Sequence, residues 1–355
     1  MIFHHSFARY FNYGVGTTHA GLLGDVVSSG FLGVNLFFVL SGFVLYLPYA
    51  TGTRRIDESG AIVRFFRHRL RRLYPLYLFV TIVSLLFVLV NPTIRQLAIW
   101  AILHAAVLFP FHPKTFLPSA NWVMWSLGLE FWFSALFPVL VWLAQRYSIA
   151  KVLAVSVGLG LIVRAIGYAD LLPALRSGGD TYFLSNSIPG RLDDFVFGML
   201  AASLFVKRAP RGNTAVIVRL AIAAVLTLAV FHLWALWTRR EIPSVSASLF
   251  SLPLNIALTL VLLEIARFRI LRTVVESWGL RLLGMMCYSL YLWHGIVLVR
   301  FGEARSTVAG YATYLCAILL LSWFTYRYIE FSHVKSFRDV LPRPLGPIDR
   351  LAVAT

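Results

Sequence analysis

NWVMWSLGLEFWFSALFPVLVWL, residues 121–143, is the stretch on which the fold is decided. One ionisable group, Glu130, sits among Trp122, Trp125, Phe131 and Trp132. As a helix the run is long enough to cross about 30 Å of hydrocarbon at about 1.5 Å per residue. Similar apolar runs lie near 1–12, 33–50, 73–92, 150–169, 186–206, 215–237, 246–265, 281–300 and 308–328. The 355 residues are 59% hydrophobic and only 13% charged, with a mean hydropathy of +0.76, whereas soluble domains carry roughly 25% charged residues. The chain therefore reads as an all-α polytopic transmembrane helix bundle embedded in a lipid bilayer. A shorter run, 96–110, carries His104 and is expected to be partial or interfacial.

Charge sets the expected topology. The 32 basic residues outnumber 15 acidic ones for a net +17, an excess that in a soluble protein would suggest nucleic acid. Here the basic residues fill the short gaps between apolar runs, as cytoplasmic loops do, and nucleic acid is not expected as a partner. Arg54, Arg55, Arg64, Arg67, Arg69, Arg71 and Arg72 mark one such gap. Arg146 with Lys151, Lys207 with Arg208 and Arg211, Arg267 with Arg269 and Arg272, and the tail bearing Lys335, Arg338, Arg343 and Arg350 mark four more. All five share one side if 96–110 does not cross, which gives ten crossings with both termini cytoplasmic and leaves Arg239 and Arg240 outside as exceptions. The expected organisation is a transmembrane domain over 1–335 and a short basic cytoplasmic tail over 336–355. The first run is only about a dozen residues, too few to span, so the first helix is expected to be truncated at its N-terminus.

The outward segments 13–32, 92–120 and 170–185 are the longest, and an external substrate would be met there. Cys287 and Cys316 fall within apolar runs, so neither a disulfide framework nor metal-ligand spacing is present. GLGLIVRAIG at 158–167 lies in a span and lacks the third glycine of a dinucleotide loop. No internal repeat is visible.

Ionisable groups inside spans cost several kcal/mol unless they face protein or water, so each is a functional candidate. His4 and His5 could act as a general base on a hydroxyl, or be interfacial histidines near a frayed terminus. Arg69 and Arg72, three apart in FRHRLRRLYPLY (66–77), share a helix face and could grip phosphate as planar charged forks, or simply form a basic flank. Pro75 would fit the first turn of the following helix. Glu130 needs a partner, and an ion pair with an arginine is one option. Arg191, Asp193 and Asp194 enter another span and His294 lies within a third; these could be polar glue between helices. Residue chemistry alone fits a proton-coupled transporter nearly as well as an enzyme.

Six stretches in order, GVNLFFVLSGFVL (33–45), FFRHRLRRLYPLYL (65–78), WSLGLEFWFSALFPVL (125–140), RLDDFVFGMLAA (191–202), YSLYLWHGIVL (288–298) and YRYIE (326–330), resemble the acyltransferase-3 family of membrane O-acyltransferases. The resemblance covers nearly the whole chain. It implies ten spans in a bacterial inner membrane, and transfer of an acyl group, commonly acetyl, from cytoplasmic acyl-CoA to a hydroxyl of a carbohydrate or glycolipid acceptor at the outer side. It implies no metal and leaves a homo-oligomer open.

Residue by residue, Arg69 and Arg72 match the family's paired arginines at the donor site, with Tyr74 beside them. Glu130 matches the acid of its WSL-x-x-E stretch and is expected in the catalytic site, ion-paired and, with Arg191 or Asp194, orienting the histidine or the sugar; Tyr291 and His294 match YSLYLWH. His4 or His5 matches a histidine thought to activate the acceptor, separated by ten intervening residues from an arginine that would fall before residue 1. Asn35 replaces the acid the family usually has in this motif. Trp125, Arg191 and Asp194 are expected in support; Ser41 and Ser126 are conceivable nucleophiles, more simply hydrogen-bonded within the bundle. A transporter or a non-catalytic membrane subunit of a glycan-modifying system is the alternative.

Overall fold

The apolar runs fold as helices. The computed structural model describes residues 2, 5, 6, 29–88, 93–119, 121–172, 182–207, 212–265, 269–301, 307–332, 334, 341 and 342, and among these there is no strand. In order the main helices are α1 (Gly33–Ala50), α2 (Ala61–Val88), α3 (Ile94–Ala105), α4 (Met124–Arg146), α5 (Ile149–Tyr168), α6 (Ile188–Lys207), α7 (Asn213–Thr238), α8 (Ser251–Ile265), α9 (Trp278–Met285), α10 (Cys287–Phe301) and α11 (Val308–Thr325). Among the described residues six helices are long and apolar enough to cross a membrane: α1, α4, α5, α7, α8 with its lead-in from Ser244, and α11 continued to Glu330. Counting α9 and α10 as one bent span makes seven. Helices α2 and α6 are 28 and 20 residues long and carry several charged side chains.

Two boundaries differ from the expectation, and the short 96–110 run agrees with it. Helix α2 starts at Ala61, so Pro75 lies inside it rather than in its first turn. The basic stretch continues the helix, and proline there removes one backbone hydrogen bond without ending it. The 281–300 run breaks at Met286, where α9 and α10 meet at a 68° bend; the Tyr288 hydroxyl, donating to the Leu73 carbonyl at 2.6 Å, ties the start of α10 to α2. The 96–110 run yields only the 12-residue α3, about 18 Å of helix, well short of a crossing. Thr93 and Gln96 cap α3 reciprocally. Its last turn is pinned by Tyr74 donating to the Ala105 carbonyl and Tyr77 to that of His104, and the chain just beyond by Trp132 donating to the Val107 carbonyl.

Helix α4 is the centre of the bundle: 56% of its apolar window is buried, against 17–44% in the other five. Its Met124 and Leu127 join a core with Tyr77, Trp293, Ile296 and Tyr314. Its Trp125, Phe133 and Phe137 join a second core with Phe38, Phe195 and Met199. Large apolar side chains point outward instead on the rim, as at Val155, Ile162, Val225 and Leu320, where only lipid would cover them.

Helices α1 and α6 make the closest approach. A methyl group on Gly198 would lie 1.9 Å from the Val39 carbonyl oxygen, and one on Gly42 would lie 2.0 Å from that of Phe195. Small residues that let backbones touch are how helices associate without a hydrophobic drive between them. Gly198→Ala is therefore expected to cost about 1–3 kcal/mol and to lower the thermal unfolding midpoint in detergent. Gly158→Ala on α5, with nothing within 4 Å, should leave the midpoint unchanged or raise it.

Candidate active site

Helix geometry brings the polar side chains of the spans together in pairs. On α2, Arg69 turns toward α4 and forms an ion pair with Glu130, while its Nε donates to Ser134 Oγ at 3.0 Å. Ser41 of α1 donates to the same Glu130 oxygen. Arg69 and Glu130 are 16% and 3% exposed at the side chain, whereas Arg72, one turn on, is 55% exposed. Of the two arginines, Arg72 is the one open to a ligand and Arg69 is committed to the bundle. Tyr74 gives its hydroxyl to the Ala105 carbonyl.

Arg72 faces Glu330 across 3.8 Å. Glu330 is buried, accepts from Ser289 Oγ at 3.0 Å, and closes a π-helical turn over Tyr326–Glu330. Its stretch was visible in the sequence, but its pairing was not, because the two residues are brought together only by α2 packing against the π-helical turn that follows α11.

A second network fills the centre of α1, α6 and α8. Arg191 donates to Asp194 at 3.2 Å, to Asn35 at 3.1 Å and, through Nε and Nη2, to Asn186 at 2.9 and 2.6 Å. Asp194 also accepts from Asn255 at 2.6 Å and from Asn35 at 3.1 Å. The amide at Asn35 thus accepts from the guanidinium and donates to the carboxylate, which an acid at this position could not do while ionised. Asn186 and Asn255 had no marker in the sequence beyond being amides near or inside apolar runs.

Arg164 was missed, hidden inside the glycine-rich run set aside above. It is 1% exposed and pairs with Asp193 through two bonds of 2.8 and 2.9 Å. It also donates to the carbonyls of Ser248 and Gly190 at 3.0 and 2.7 Å. A planar fork matched to one carboxylate and two carbonyls is a structural staple, with four of its five donors engaged.

The histidines lie where the start of α4 meets α10. Among the candidates at the N-terminus, His4 lies outside the described residues. His5 packs edge-on against Trp122, ring centroids 4.4 Å apart, and stacks on His294 at 5.6 Å. His294 is fully buried, and its Nδ1 bonds to the Tyr291 carbonyl of its own helix. A carbonyl only accepts, so Nδ1 carries the proton and Nε2 of the neutral ring carries the lone pair. Tyr291 donates to the Val123 carbonyl at 2.8 Å and bonds Ser126 Oγ. Asn121 donates to the Leu292 carbonyl at 3.0 Å. Gly295 lets this close approach happen, since a methyl group there would lie 2.7 Å from Asn121 Oδ1. Trp125 is buried against Phe116, with ring centroids 5.6 Å apart, and serves the core.

A bundle of apolar helices enclosing stacked histidines beside a tyrosine-serine pair, with arginine-carboxylate pairs between its helices, has the makings of a membrane-embedded enzyme. Residues 1–327 match the acyltransferase domain that defines the acyltransferase-3 family, and the chain belongs to that family. It is similar to acyltransferase MdmB of Streptomyces mycarofaciens, 26% identical over 293 residues covering 78% of this chain and 70% of that one. It is also similar to O-acetyltransferase OatA of Staphylococcus aureus, 24% identical over 333 residues covering 86% of this chain and 52% of the relative. The match thus spans about half the length of OatA. No solved structure matches. The protein is a helical membrane acyltransferase.

Removing one partner of a buried ion pair leaves an uncompensated charge. Arg164→Met is expected to cost about 3–5 kcal/mol, read as loss of the monodisperse folded species on size-exclusion chromatography in detergent. Adding Asp193→Leu should restore most of it, which a catalytic role for the pair would not require.

Proposed function

We propose that this chain moves an acyl group, acetyl in the simplest case, from cytoplasmic acyl-CoA to a hydroxyl of a carbohydrate or glycolipid acceptor at the outer side of a bacterial inner membrane. The basic gaps between helices support ten crossings with both termini in the cytoplasm. The name of OatA, an O-acetyltransferase, supports the reaction type.

One observation carries the reading: the Nε2 lone pair of buried His294, fixed in orientation by the Tyr291 carbonyl and lying beside His5. A histidine of this pair, or His4 next to it in sequence, takes the proton of the acceptor hydroxyl. The oxygen bonds to the thioester carbonyl carbon, the carbon–sulfur bond breaks, and the thiolate leaves with the proton from the imidazolium. Tyr291 and Ser126 hold the turn of α10 that presents His294. Arg72, exposed and backed by Glu330, receives the anionic donor. Arg69, Glu130 and Ser41 keep α1, α2 and α4 in register beneath it. Arg191, Asp194 and Asn35 do the same for α1, α6 and α8.

Transfer of radiolabel from acetyl-CoA into the glycan and glycolipid fractions of membranes carrying the protein tests this. Label should move with the parent chain and fall by about 10²–10⁴-fold in the His4→Ala/His5→Ala and His294→Gln variants. Undiminished transfer in both variants would remove the histidines from the mechanism, and no transfer by the parent would remove acetyl-CoA as donor. In the same assay Arg72→Gln should raise the KM for acetyl-CoA by about tenfold at nearly unchanged kcat, with Glu330→Gln following it in the same direction. A fall in kcat alone would instead set Arg72 against the reacting atoms.

A further inference from the structure

A cavity of about 370 Å³ lies outside the histidine site, between the end of α1 and the first three turns of α2. Its volume falls at the lower end of the roughly 300–1,000 Å³ of small-molecule sites. Five arginines line it, and one acid, Glu58. Tyr49 and Phe65 supply aromatic wall.

The connecting segment 51–60 borders the cavity through Arg54, Arg55 and Glu58 and is held in a defined shape. Gly52 and Gly60 take left-handed backbone, with φ of 75° and 70°, where other residues would be strained. Thr51 and Thr53 return hydroxyl bonds to the Pro48 carbonyl at 3.2 and 3.0 Å, and the Arg54 amide returns a third at 3.0 Å.

Two of the five guanidiniums are neutralised from within. Arg55 donates to both oxygens of Asp57, at 3.1 and 2.7 Å, and these bonds hold the Asp57 carboxyl below its ordinary value. Arg64 reaches Glu58 at 3.4 Å and the Ser59 carbonyl at 2.9 Å. Among the described residues, no carboxylate forms an ion pair with Arg54, Arg67 or Arg71. A basic flank that only sets topology would fan its charges into solvent. Here three uncompensated charges border one concavity with an aromatic wall, an arrangement that favours a polyvalent anion carrying an apolar or aromatic group.

We propose that this basin is a binding site for a phosphate ester, held by Arg54, Arg67 and Arg71. Two sources share that chemistry: the nucleotide end of an acyl-CoA, which rests on the function proposed above, and the headgroup of an anionic phospholipid. Phe65 precedes Arg72 by seven residues, about 10 Å along the axis of α2, so the basin lies about two turns from the arginine assigned to the donor.

The test uses the full chain in phosphatidylcholine nanodiscs, titrated calorimetrically with adenosine 3′,5′-bisphosphate, and in parallel nanodiscs containing phosphatidylglycerol, with retained lipid read by native mass spectrometry. The parent should bind one of the two probes, and Arg54→Gln/Arg67→Gln/Arg71→Gln should weaken that binding at least about tenfold. Arg146→Gln/Lys151→Gln, at another basic gap, should not. Binding of the bisphosphate identifies the nucleotide as source; selective retention of phosphatidylglycerol identifies the lipid. If the parent binds neither probe, or the triple variant binds as the parent does, the basin is not a phosphate site. Acetyl transfer measured on the same preparations separates the two readings. Probe binding lost in the triple variant with no transfer by the parent overturns the donor assignment alone. Transfer by the parent, with probe binding and donor KM unmoved in the triple variant, overturns the basin alone.

Discussion

A carboxylate taken into a helix bundle that faces lipid must bring its own counter-charge, because neither water nor hydrocarbon will supply it. Glu130 has Arg69, Asp193 has Arg164, Asp194 has Arg191, Glu264 has Arg219 and Glu330 has Arg72. Four of these pairs join different segments, and the fifth is joined to α1 and α8 through Asn35 and Asn255. The pairs therefore do more than neutralise: they fix which helix lies beside which in a protein whose apolar faces are too alike to choose partners by themselves. Net stability from such pairs is small after desolvation, but a mispaired arrangement would strand a charge at several kcal/mol. Selection of one arrangement is the larger effect.

That logic explains what could be read in advance. The helices were legible because hydropathy reports burial in lipid residue by residue, and the interruption at 96–110 was legible because its apolar run is short. Glu130 stood out as the one acid in its span, and an arginine partner was an open option; which arginine was not readable. Arg69 is 61 residues away in sequence, and no local period encodes that contact. Arg164 escaped although an arginine inside a span is itself a signal: its run was weighed only as a glycine-rich loop, and its partner Asp193 lies on another helix. The bend at Met286 was hidden for a related reason: α9 and α10 are both apolar, and only the tether from Tyr288 to α2 shows where the chain must turn.

The resemblance to a family marked the residues of the site more fully than their chemistry did, but geometry redistributes their parts. Arg69 and Arg72 form one motif in sequence and two environments in space, the first enclosed by Glu130 and Ser134, the second open beside Glu330. A motif read as a pair of phosphate ligands thus divides into a structural half and an accessible half. His294 moves the other way. Its position in an aromatic helix reads as glue, yet the bond from its Nδ1 to a main-chain carbonyl leaves a lone pair in a fixed direction beside a second imidazole.

Distances along the helices connect these parts. On α2 the basic basin at Phe65 precedes Arg69 by about 6 Å. Arg69 meets Glu130 on α4, and four residues back along α4, about another 6 Å, Ser126 touches Tyr291. One turn further along α10 lies His294, with His5 stacked upon it. Within the bundle the charge on Glu130 is met by Arg69 and the hydroxyls of Ser126 and Tyr291 meet each other, so the polar series can run between the helices without leaving a bare charge against lipid. For the proposed reaction this matters because donor and acceptor approach from opposite faces. A flexible thioester arm entering at the basic end need not drag its charged nucleotide inward, provided the guanidiniums near the entrance retain the phosphates while the arm alone enters. The division of labour between exposed arginines and a buried, uncharged imidazole then follows from the cost of moving charge through hydrocarbon.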